Sequence, residues 1–268
     1  MTKLAKLHGL GNDFLVALEA DNPGLEPQPD LARRLCDRHT GIGADGLVFA
    51  LSPSDTSHDA AMVLLNSDGS EAEISGNGIR CLGQAILRAR GGVVQPGAAL
   101  TIESAGGLRE LTVERGDPES EMRTDVDMGR PGEGPPLAEA TRAYPARRMA
   151  TIDVGNPHLV LLVDEPSAVD LAVDGPSLES DYPEGINVHF IRPLGADSLE
   201  LAVWERGAGV TMACGSGATA AAVAALDWGL VGGRVRVEMP GGAAEVEVID
   251  GHAHLVGPST FVAEVSVP

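Results

Sequence analysis

The sequence predicts an α+β fold of two pseudo-symmetric domains, each a curled, mostly antiparallel β-sheet or barrel around one central helix. The first observation behind this prediction is a pair of similar glycine-rich segments, residues 75–78 and 214–217. Each segment leads into an apolar run, residues 79–87 and 218–226, with few or no charges. A helix with so few charges is normally enclosed by other structure, so each run predicts a central helix.

The similarity between the two halves extends upstream of these segments. Asn66 precedes Ser75 by the same spacing that separates Glu205 from Cys214, and both Asn66 and Glu205 end an apolar, strand-like run. The segment around Asn12 likewise resembles the segment around Asn156. A repeat of half the chain indicates duplication into two similar domains rather than the short repeats of a solenoid.

The duplication fixes the predicted domain boundaries. We expect one domain of residues 1–117 with residues 259–268, and a second domain of residues 118–258. Two glycine-rich helix starts in one chain suggest that both helices point at one ligand. The active site is therefore expected in the cleft between the two domains.

Turn residues and apolar runs predict the elements of the first half. Asp30 is expected to cap a short helix, and the Asn-Ser-Asp-Gly turn after residue 65 ends a strand. Gly91 and Gly92 end the central helix. The predicted strands are residues 5–8, 14–18, 47–51, 62–65, 100–103 and 108–114, and the predicted helices are residues 31–36 and 76–90.

The second half repeats this order after a linking segment rich in glycine and proline, residues 129–138. One central helix is predicted, over residues 215–228. The last strand follows Gly257 and Pro258 and is expected to return to the first domain. The predicted strands are residues 150–153, 159–163, 188–191, 199–204, 235–238, 244–249, 253–256 and 261–265.

Composition excludes several classes of function. The net charge of −20 argues against nucleic acid and anionic membrane surfaces as partners, because phosphate groups are bound by concentrated lysine and arginine. No apolar run reaches about 18 residues, so no membrane-spanning helix is expected. The N-terminus enters a strand pattern at once, without a signal-peptide layout. Three widely spaced cysteines do not form a disulfide framework, which indicates a reducing, cytoplasmic compartment.

No cofactor and no metal are predicted. Pyridoxal phosphate requires a lysine for its Schiff base, and the only lysines are Lys3 and Lys6, away from any recognisable phosphate loop. His252 and His254 lie on one face of a strand but have no cysteine or carboxylate cluster beside them, so we interpret them as solvated residues. The expected partner is a small molecule.

Cys214 is the leading candidate for a reactive group. It stands where a helix begins, and the helix dipole is expected to lower the pKa of its thiol towards neutrality. The amides that follow it form a site for a carboxylate. A small buried residue in a tight turn is the alternative interpretation. Ser75 has the equivalent position, and serine is also a common N-cap, so only its pairing with Cys214 makes it a candidate. Cys36 and Cys81 are expected to serve packing.

Several polar residues flank the two segments. His158 and Glu205 are positioned to tune a thiol or relay a proton, although a satisfied polar residue at a strand end explains each equally well. Arg206 is a candidate carboxylate clamp or an ordinary surface arginine. Four asparagines at strand ends or turns suit recognition of amino and carboxylate groups, although asparagine favours turns in any case. These asparagines are Asn12, Asn66, Asn156 and Asn187.

At these residues the chain resembles the diaminopimelate epimerase family. The matching segments occur in the order found in the family and together are highly specific. They are HGLGNDF (8–14), GIGADG (41–46), NSDGSE (66–71), GNGIRC (76–81), GNPH (155–158), ERG (205–207) and ACGSG (213–217). The resemblance implies the predicted two-domain fold, interconversion of L,L- and meso-diaminopimelate without a cofactor, a cytoplasmic role in lysine and cell-wall precursor synthesis, and a homodimer.

The resemblance also implies residue roles. In the family two cysteines flank the substrate α-carbon, one removing the α-proton as thiolate and the other delivering a proton as thiol. Carried over, Cys214 is one of the pair, and His158 and Glu205 adjust the acidities. The backbone at Gly76, Asn77, Gly215 and Ser216 holds the reacting carboxylate. The full implied substrate-binding set is Asn12, Asn66, Gly76, Asn77, Asn156, Asn187, Glu205, Arg206, Gly215 and Ser216.

Ser75 departs from the family, which has its first cysteine there. A serine hydroxyl is a far weaker acid than a thiol, so it is a poor base for one stereoisomer and leaves an unstable alkoxide after donating to the other. Three explanations fit: an engineered Cys→Ser replacement, a natural relative working with one thiol, or a changed reaction that needs one base. Dehydratases related to proline racemase, such as those acting on hydroxyproline, exemplify the third.

Three functions therefore remain open from the sequence. The first is a two-base amino-acid epimerase impaired by Ser75. The second is a one-base lyase or isomerase on the same scaffold, distinguished by loss of water from the substrate. The third is a non-catalytic amino-acid binding protein, for which a Cys214 thiol of ordinary acidity would argue.

Overall fold

The computed structural model describes residues 1–268, which form two compact units. Unit 1 comprises residues 1–127 and 256–268, and unit 2 comprises residues 128–255. The sequence placed residues 118–127 and 256–258 in the second domain instead. They belong to unit 1 because residues 121–127 form a strand that pairs with the strand before it.

Unit 1 contains a ring of strands. The strands are β1 (Thr2–Gly9), β2 (Asn12–Leu18), β3 (Gly46–Leu51), β4 (Ala60–Asn66), the short β5 (Glu71–Ala72), β6 (Ala99–Ser104), β7 (Gly107–Gly116) and β8 (Glu121–Asp127). Neighbours pair in the order β1-β2-β3-β4-β6-β7-β8, and the final strand of the chain pairs with both β8 and β1 to close an eight-stranded barrel. Only the β2–β3 and β4–β6 pairs are parallel.

Each parallel pair needs a crossover connection, and a helix supplies it. Helix α1 (Pro29–Cys36) links β2 to β3 and packs outside the barrel, where Ala32 and Leu35 join a core cluster with the outer faces of the strands. Helix α2 (Gly76–Arg90) links β4 to β6 through the barrel interior, and every residue from Gly76 to Leu87 is buried. Gly83 allows this fit, because a Cβ there would lie 2.6 Å from Leu111 Cδ1.

Unit 2 repeats this topology. Its strands are β9 (Gly132–Glu133), β10 (Arg148–Asp153), β11 (Pro157–Leu162), β12 (Asn187–Gly195), β13 (Ser198–Glu205), the short β14 (Gly209–Val210), β15 (Arg234–Met239), β16 (Gly242–Ile249) and the start of β17 (His252–Val267). Pairs β11–β12 and β13–β15 are parallel, matching β2–β3 and β4–β6. Helix α3 (Leu171–Glu179) provides the outer crossover, and α4 (Gly215–Asp227) is the inner helix, with contacts to six strands of its unit.

The predicted fold class is confirmed, since each unit is a mostly antiparallel barrel around one buried helix. No helix was predicted between residues 163 and 188, where α3 lies, and Gly175 and Pro176 are poor residues for a helix interior. Tertiary packing overrides this preference: Gly175 lies so close to Trp204 that a Cβ would be 2.4 Å from Trp204 Cγ, and Leu178 is buried in the same cluster.

Three further details differ from the prediction. Helix α1 begins at Pro29 after Gln28, so Asp30 is not its cap but lies in the first turn, where it pairs with Arg33. Strand β8 was not predicted, although its buried residues alternate with charged ones, a pattern typical of a half-buried strand. The two strands expected around Gly257 and Pro258 are one continuous strand, β17. None of the helices combines the length and the apolar character that a membrane-crossing helix needs.

Candidate active site

Ser75 is the N-cap of α2. Its backbone is extended (φ −145°, ψ 118°), and its Oγ accepts a hydrogen bond from Gly78 N at 3.0 Å. The carbonyl of Ser75 accepts the next amide, that of Ile79. This is the standard way in which a serine satisfies the unpaired amides of a helix start.

Cys214 caps α4 in the same way. Its backbone angles are φ −128° and ψ 116°, and its Sγ accepts from Gly217 N at 3.3 Å while its carbonyl accepts from Ala218 N. The sequence repeat thus corresponds to two caps with the same backbone conformation and hydrogen-bond pattern, one in each unit. In α4 the cap leaves the amides of Gly215 and Ser216 without an acceptor inside the helix.

The sequence predicted a lowered pKa for the Cys214 thiol, but the structure gives a raised one. Burial raises the pKa of its thiol well above 9.0, and the charge of Glu205 and a hydrogen bond to that carboxylate raise it further. The bonds from Ser216 and Gly217 N favour the thiolate but do not outweigh these effects. Cys214 is therefore a protonated thiol facing a carboxylate, an arrangement suited to donating a proton and recovering it.

The other cysteines have the packing role that was predicted. Cys36 and Cys81 are both buried and unpaired. Burial raises the pKa of each thiol to about 12, so both are unreactive at neutral pH.

Asn12 and Asn77 are brought together in unit 1. The Asn77 amide nitrogen donates to Asn12 Oδ1 at 3.0 Å, and Asn12 Nδ2 donates to Asp45 Oδ2 at 2.8 Å. Asn66, at the end of β4, donates from Nδ2 to Ser70 Oγ at 3.1 Å. Asp45 was not among the predicted site residues, although its segment, residues 41–46, was one of those that carry the resemblance to the family.

Asn156 and His158 are in contact in unit 2, and a second histidine joins them. His158 Nε2 lies 2.7 Å from Asn156 Oδ1, and His158 Nδ1 lies 2.8 Å from His189 Nε2. Because an amide oxygen only accepts, His158 Nε2 carries the proton and its Nδ1 accepts from His189. His189 Nδ1 is left buried without a partner.

Burial holds both imidazoles neutral. It lowers the pKa of His158 well below 6.5 and that of His189 to about 3. His189 was missed by the sequence analysis. The available signal was a lone histidine in the otherwise apolar run of residues 188–191, two residues from Asn187 and therefore on the same strand face.

Asn187 and Arg206 also meet in unit 2. Asn187 Oδ1 accepts from Arg206 N at 3.1 Å, and Asn187 Nδ2 donates to the Pro157 carbonyl at 3.0 Å. The Arg206 guanidinium donates to the Glu184 carbonyl at 3.1 Å. Asn187 thus ties the backbone of Arg206, the residue after Glu205, to the start of β11.

Comparison with known proteins assigns this arrangement to a family. The family model described as diaminopimelate epimerase matches residues 4–132 and 150–262, which include both helix caps. The chain belongs to the diaminopimelate epimerase family. Among curated members, the diaminopimelate epimerase of Pelotomaculum thermopropionicum is 40% identical over 285 residues, covering 98% of each chain. That of Synechococcus elongatus is 37% identical over 270 residues, covering 97% of this chain and 96% of the relative.

Solved structures place this family member among proteins with the same fold. A probable proline racemase from Agrobacterium radiobacter K84 superposes with a TM-score of 0.77 at 17% identity, covering 100% of this chain and 93% of the other. A hydroxyproline epimerase from Agrobacterium vitis gives a TM-score of 0.69 at 17% identity, covering 100% of this chain and 91% of that one. At such identities the likeness concerns the fold alone.

Proposed function

We propose that this chain is a cofactor-independent epimerase that interconverts L,L- and meso-diaminopimelate by moving the α-proton. Family membership over almost the whole chain, together with a thiol at the start of α4 bonded to Glu205, carries the proposal. The amides of Gly215 and Ser216 are the donors assigned to the reacting carboxylate, because a helix start favours an anion. The family name supports a place in lysine biosynthesis.

In the proposed reaction, the two helix-cap residues act on opposite faces of the substrate α-carbon. Cys214, held as a thiol, delivers a proton to the planar carbanion, and the Glu205 carboxylate lies where it can stabilise the returning proton on sulfur. Residue 75 is assigned to the opposite face of the same carbon. There Ser75 has a far less acidic group than the family cysteine, so we expect slow turnover.

Restoring the thiol tests this division. Ser75→Cys should raise α-proton exchange with L,L- and meso-diaminopimelate in heavy water by about 10²–10⁴, the usual contribution of a well-placed acid or base. The measurement is deuterium incorporation by mass spectrometry, with Ser75→Ala as the matched variant that removes the hydroxyl and Cys214→Ala as the inactive control. Equal exchange by the serine and cysteine forms would contradict the two-thiol account.

A one-base lyase or isomerase is the second candidate, and Ser75 is the observation that favours it. Such an enzyme needs only one base, assigned to Cys214 with Glu205. After this base removes the α-proton, the substrate would lose water or shift a double bond instead of receiving a proton on the opposite face. Mass analysis of the product with hydroxyproline and with diaminopimelate separates the two. Binding of diaminopimelate without exchange in either form of residue 75 would indicate the third possibility, a binding protein.

We further propose that the protein works in the cytoplasm as a homodimer. Three buried, unpaired cysteines fit a reducing compartment, and the resemblance to the family suggests the dimer. Light scattering coupled to size exclusion measures the assembly directly, and a mass of 27.6 kDa would indicate a monomer.

A further inference from the structure

A continuous line of hydrogen bonds in unit 1 connects a buried cation to a carboxylate through two asparagines. The Arg80 guanidinium donates to Asn77 Oδ1, Asn77 Nδ2 donates to Asn12 Oδ1, and Asn12 Nδ2 donates to Asp45 Oδ2. Every bond runs in the same direction, from Arg80 to Asp45. This line of hydrogen bonds therefore joins the Arg80 cation to the Asp45 carboxylate through two amide groups of fixed orientation.

Arg80 fixes the first end of this chain. Its side chain is fully buried, and burial lowers its pKa only to about 10, so it stays charged at neutral pH. A guanidinium has donors and no acceptor, so the Asn77 atom beside it must be the oxygen. Two glycines make room for it: a Cβ on Gly257 would lie 1.6 Å from Arg80 Nη1, and one on Gly9 would lie 3.3 Å from Nη2.

Asp45 fixes the other end. Its Oδ1 accepts from Arg38 Nη2 at 2.7 Å, and its Oδ2 accepts from the backbone amide of Asp13 at 3.1 Å as well as from Asn12. Both oxygens are thus held as acceptors, and the Asn12 atom beside them must be the nitrogen. Rotating the Asn77 amide by half a turn would place its NH₂ group against the Arg80 guanidinium, so that two donors would face each other. Rotating the Asn12 amide would place its Oδ1 against Asp45 Oδ2, so that two acceptors would face each other.

We propose that Arg80 and Asp45 are positioning residues that fix the amide orientation of Asn12, so that Asn12 presents N–H rather than oxygen to the substrate. An amide held this way favours a group that accepts hydrogen bonds, which selects a carboxylate over an ammonium group. This inference rests on the proposed function, in which Asn12 binds the amino-acid substrate. Neither positioning residue needs to touch the substrate.

Asp45→Asn gives the sharper test, because it keeps shape and volume but adds a donor at the acceptor end. Arg80→Gln removes the charge and offers both a donor and an acceptor, whereas Arg80→Lys keeps a donor-only cation. The matched control is Arg34→Gln, which changes an exposed arginine of α1. Urea unfolding of each variant establishes that it is folded.

The readout is the ratio of dissociation constants for diaminopimelate and its diamide, measured by calorimetry. The wild type, Arg34→Gln and Arg80→Lys should prefer the diacid, and Asp45→Asn and Arg80→Gln should lower that preference about tenfold, the value of one hydrogen bond to a charged group. If Arg80→Gln does not fold, Asp45→Asn decides alone. An unchanged ratio in folded Asp45→Asn overturns the proposal.

A second readout does not depend on the proposed function. In the wild type, the side-chain amide protons of Asn12 should be protected from exchange in nitrogen-15 NMR spectra, and Asp45→Asn should shift them and speed their exchange. If the wild type binds neither ligand, the proposed substrate is wrong while this comparison still tests the oriented chain. Asn12 amide signals that do not change in Asp45→Asn would then refute it.

Discussion

Cys214 and Ser75 occupy equivalent caps, yet they differ in the chemistry available to them. The cap geometry is the same because both side chains accept the amide three residues on, and sulfur and oxygen both perform that role. The Glu205 carboxylate lies beside Cys214 and raises the pKa of its thiol, whereas the repeat position of Glu205 in the other half is the neutral Asn66. The duplication has therefore preserved the scaffold of the site while the ionisable groups have diverged.

The acidity of Cys214 depends on Glu205, and this can be measured. Replacing Glu205 by Gln removes the negative charge that favours the thiol while keeping an amide oxygen, so the thiol pKa should fall relative to the wild type. Thiolate absorbance at 240 nm, measured as a function of pH, gives the pKa of the Cys214 thiol. Cys36 and Cys81 do not contribute to the signal below about pH 12, because burial raises the pKa of each of these thiols to about 12.

Two variants control that titration. Cys214→Ala should lose the absorbance step and supplies the tyrosine background, and Glu184→Gln changes an exposed carboxylate of the same unit without altering the step. A thiol pKa that is unchanged or higher in Glu205→Gln would show that burial alone sets the acidity of Cys214.

At the scale of elements, the first turn of α4 is packed directly on β12. A Cβ built on Gly217 would lie 2.3 Å from His189 Cε1, closer than atoms in folded proteins approach. The helix start that positions Cys214 therefore rests on the imidazole ring. In α2 a Cβ on the corresponding Gly78 would lie 3.1 Å from Ser75 Cβ, 3.3 Å from Ser75 Oγ and 3.8 Å from Leu64 Cδ2, all longer than the Gly217 contact.

This difference predicts unequal effects of the same substitution. Gly217→Ala should destabilise by about 1–3 kcal/mol, the cost of overpacking a filled core. Gly78→Ala should cost less, because its contacts are longer and alanine is the better helix former. Urea midpoints of both variants give the comparison. Adding His189→Ala to Gly217→Ala should recover part of the loss, and equal effects at the two glycines would contradict the packing account.

At the scale of the molecule, the two buried histidines make the fold sensitive to acid. Unfolding exposes both rings, which then take up protons below pH 6.5, whereas the folded rings do not until far lower pH. The unfolded state thus binds more protons between about pH 3 and 6.5, so stability falls as pH falls through that window. Each ring contributes up to about 1.4 kcal/mol per pH unit.

The corresponding variant is His189→Gln, which keeps a donor for His158 and removes one titrating ring. The urea midpoint should decline less steeply between pH 6.5 and 4 than in the wild type. His39→Gln, at an exposed position, should follow the wild-type slope. Parallel slopes in all three proteins would mean that His189 does not contribute to the acid sensitivity.

The fold was predictable because its signals are local and occur twice. The apolar runs after Ser75 and Cys214 lack the polar face of a surface helix, which requires a surrounding barrel, and the caps follow from residue type. Helix α3 was not predicted, because it is stabilised by the packing of Gly175 against Trp204. This contact joins residues distant in sequence, so helix propensities do not reflect it. Strand β8 is different, because the alternation of its buried and charged residues is a local strand signal that the sequence did contain.

The sequence by itself determined the duplication, the two inner helices and their caps, since these follow from composition and spacing along the chain. Its motifs also carried the resemblance to the family. Only the tertiary structure decided the chemical state of the site. The raised pKa of Cys214, the neutral pair of His158 and His189, and the oriented amides between Arg80 and Asp45 arise from burial and from partners distant in sequence. Desolvation and hydrogen-bond direction are properties of the packed interior, so no pattern along the chain contains them.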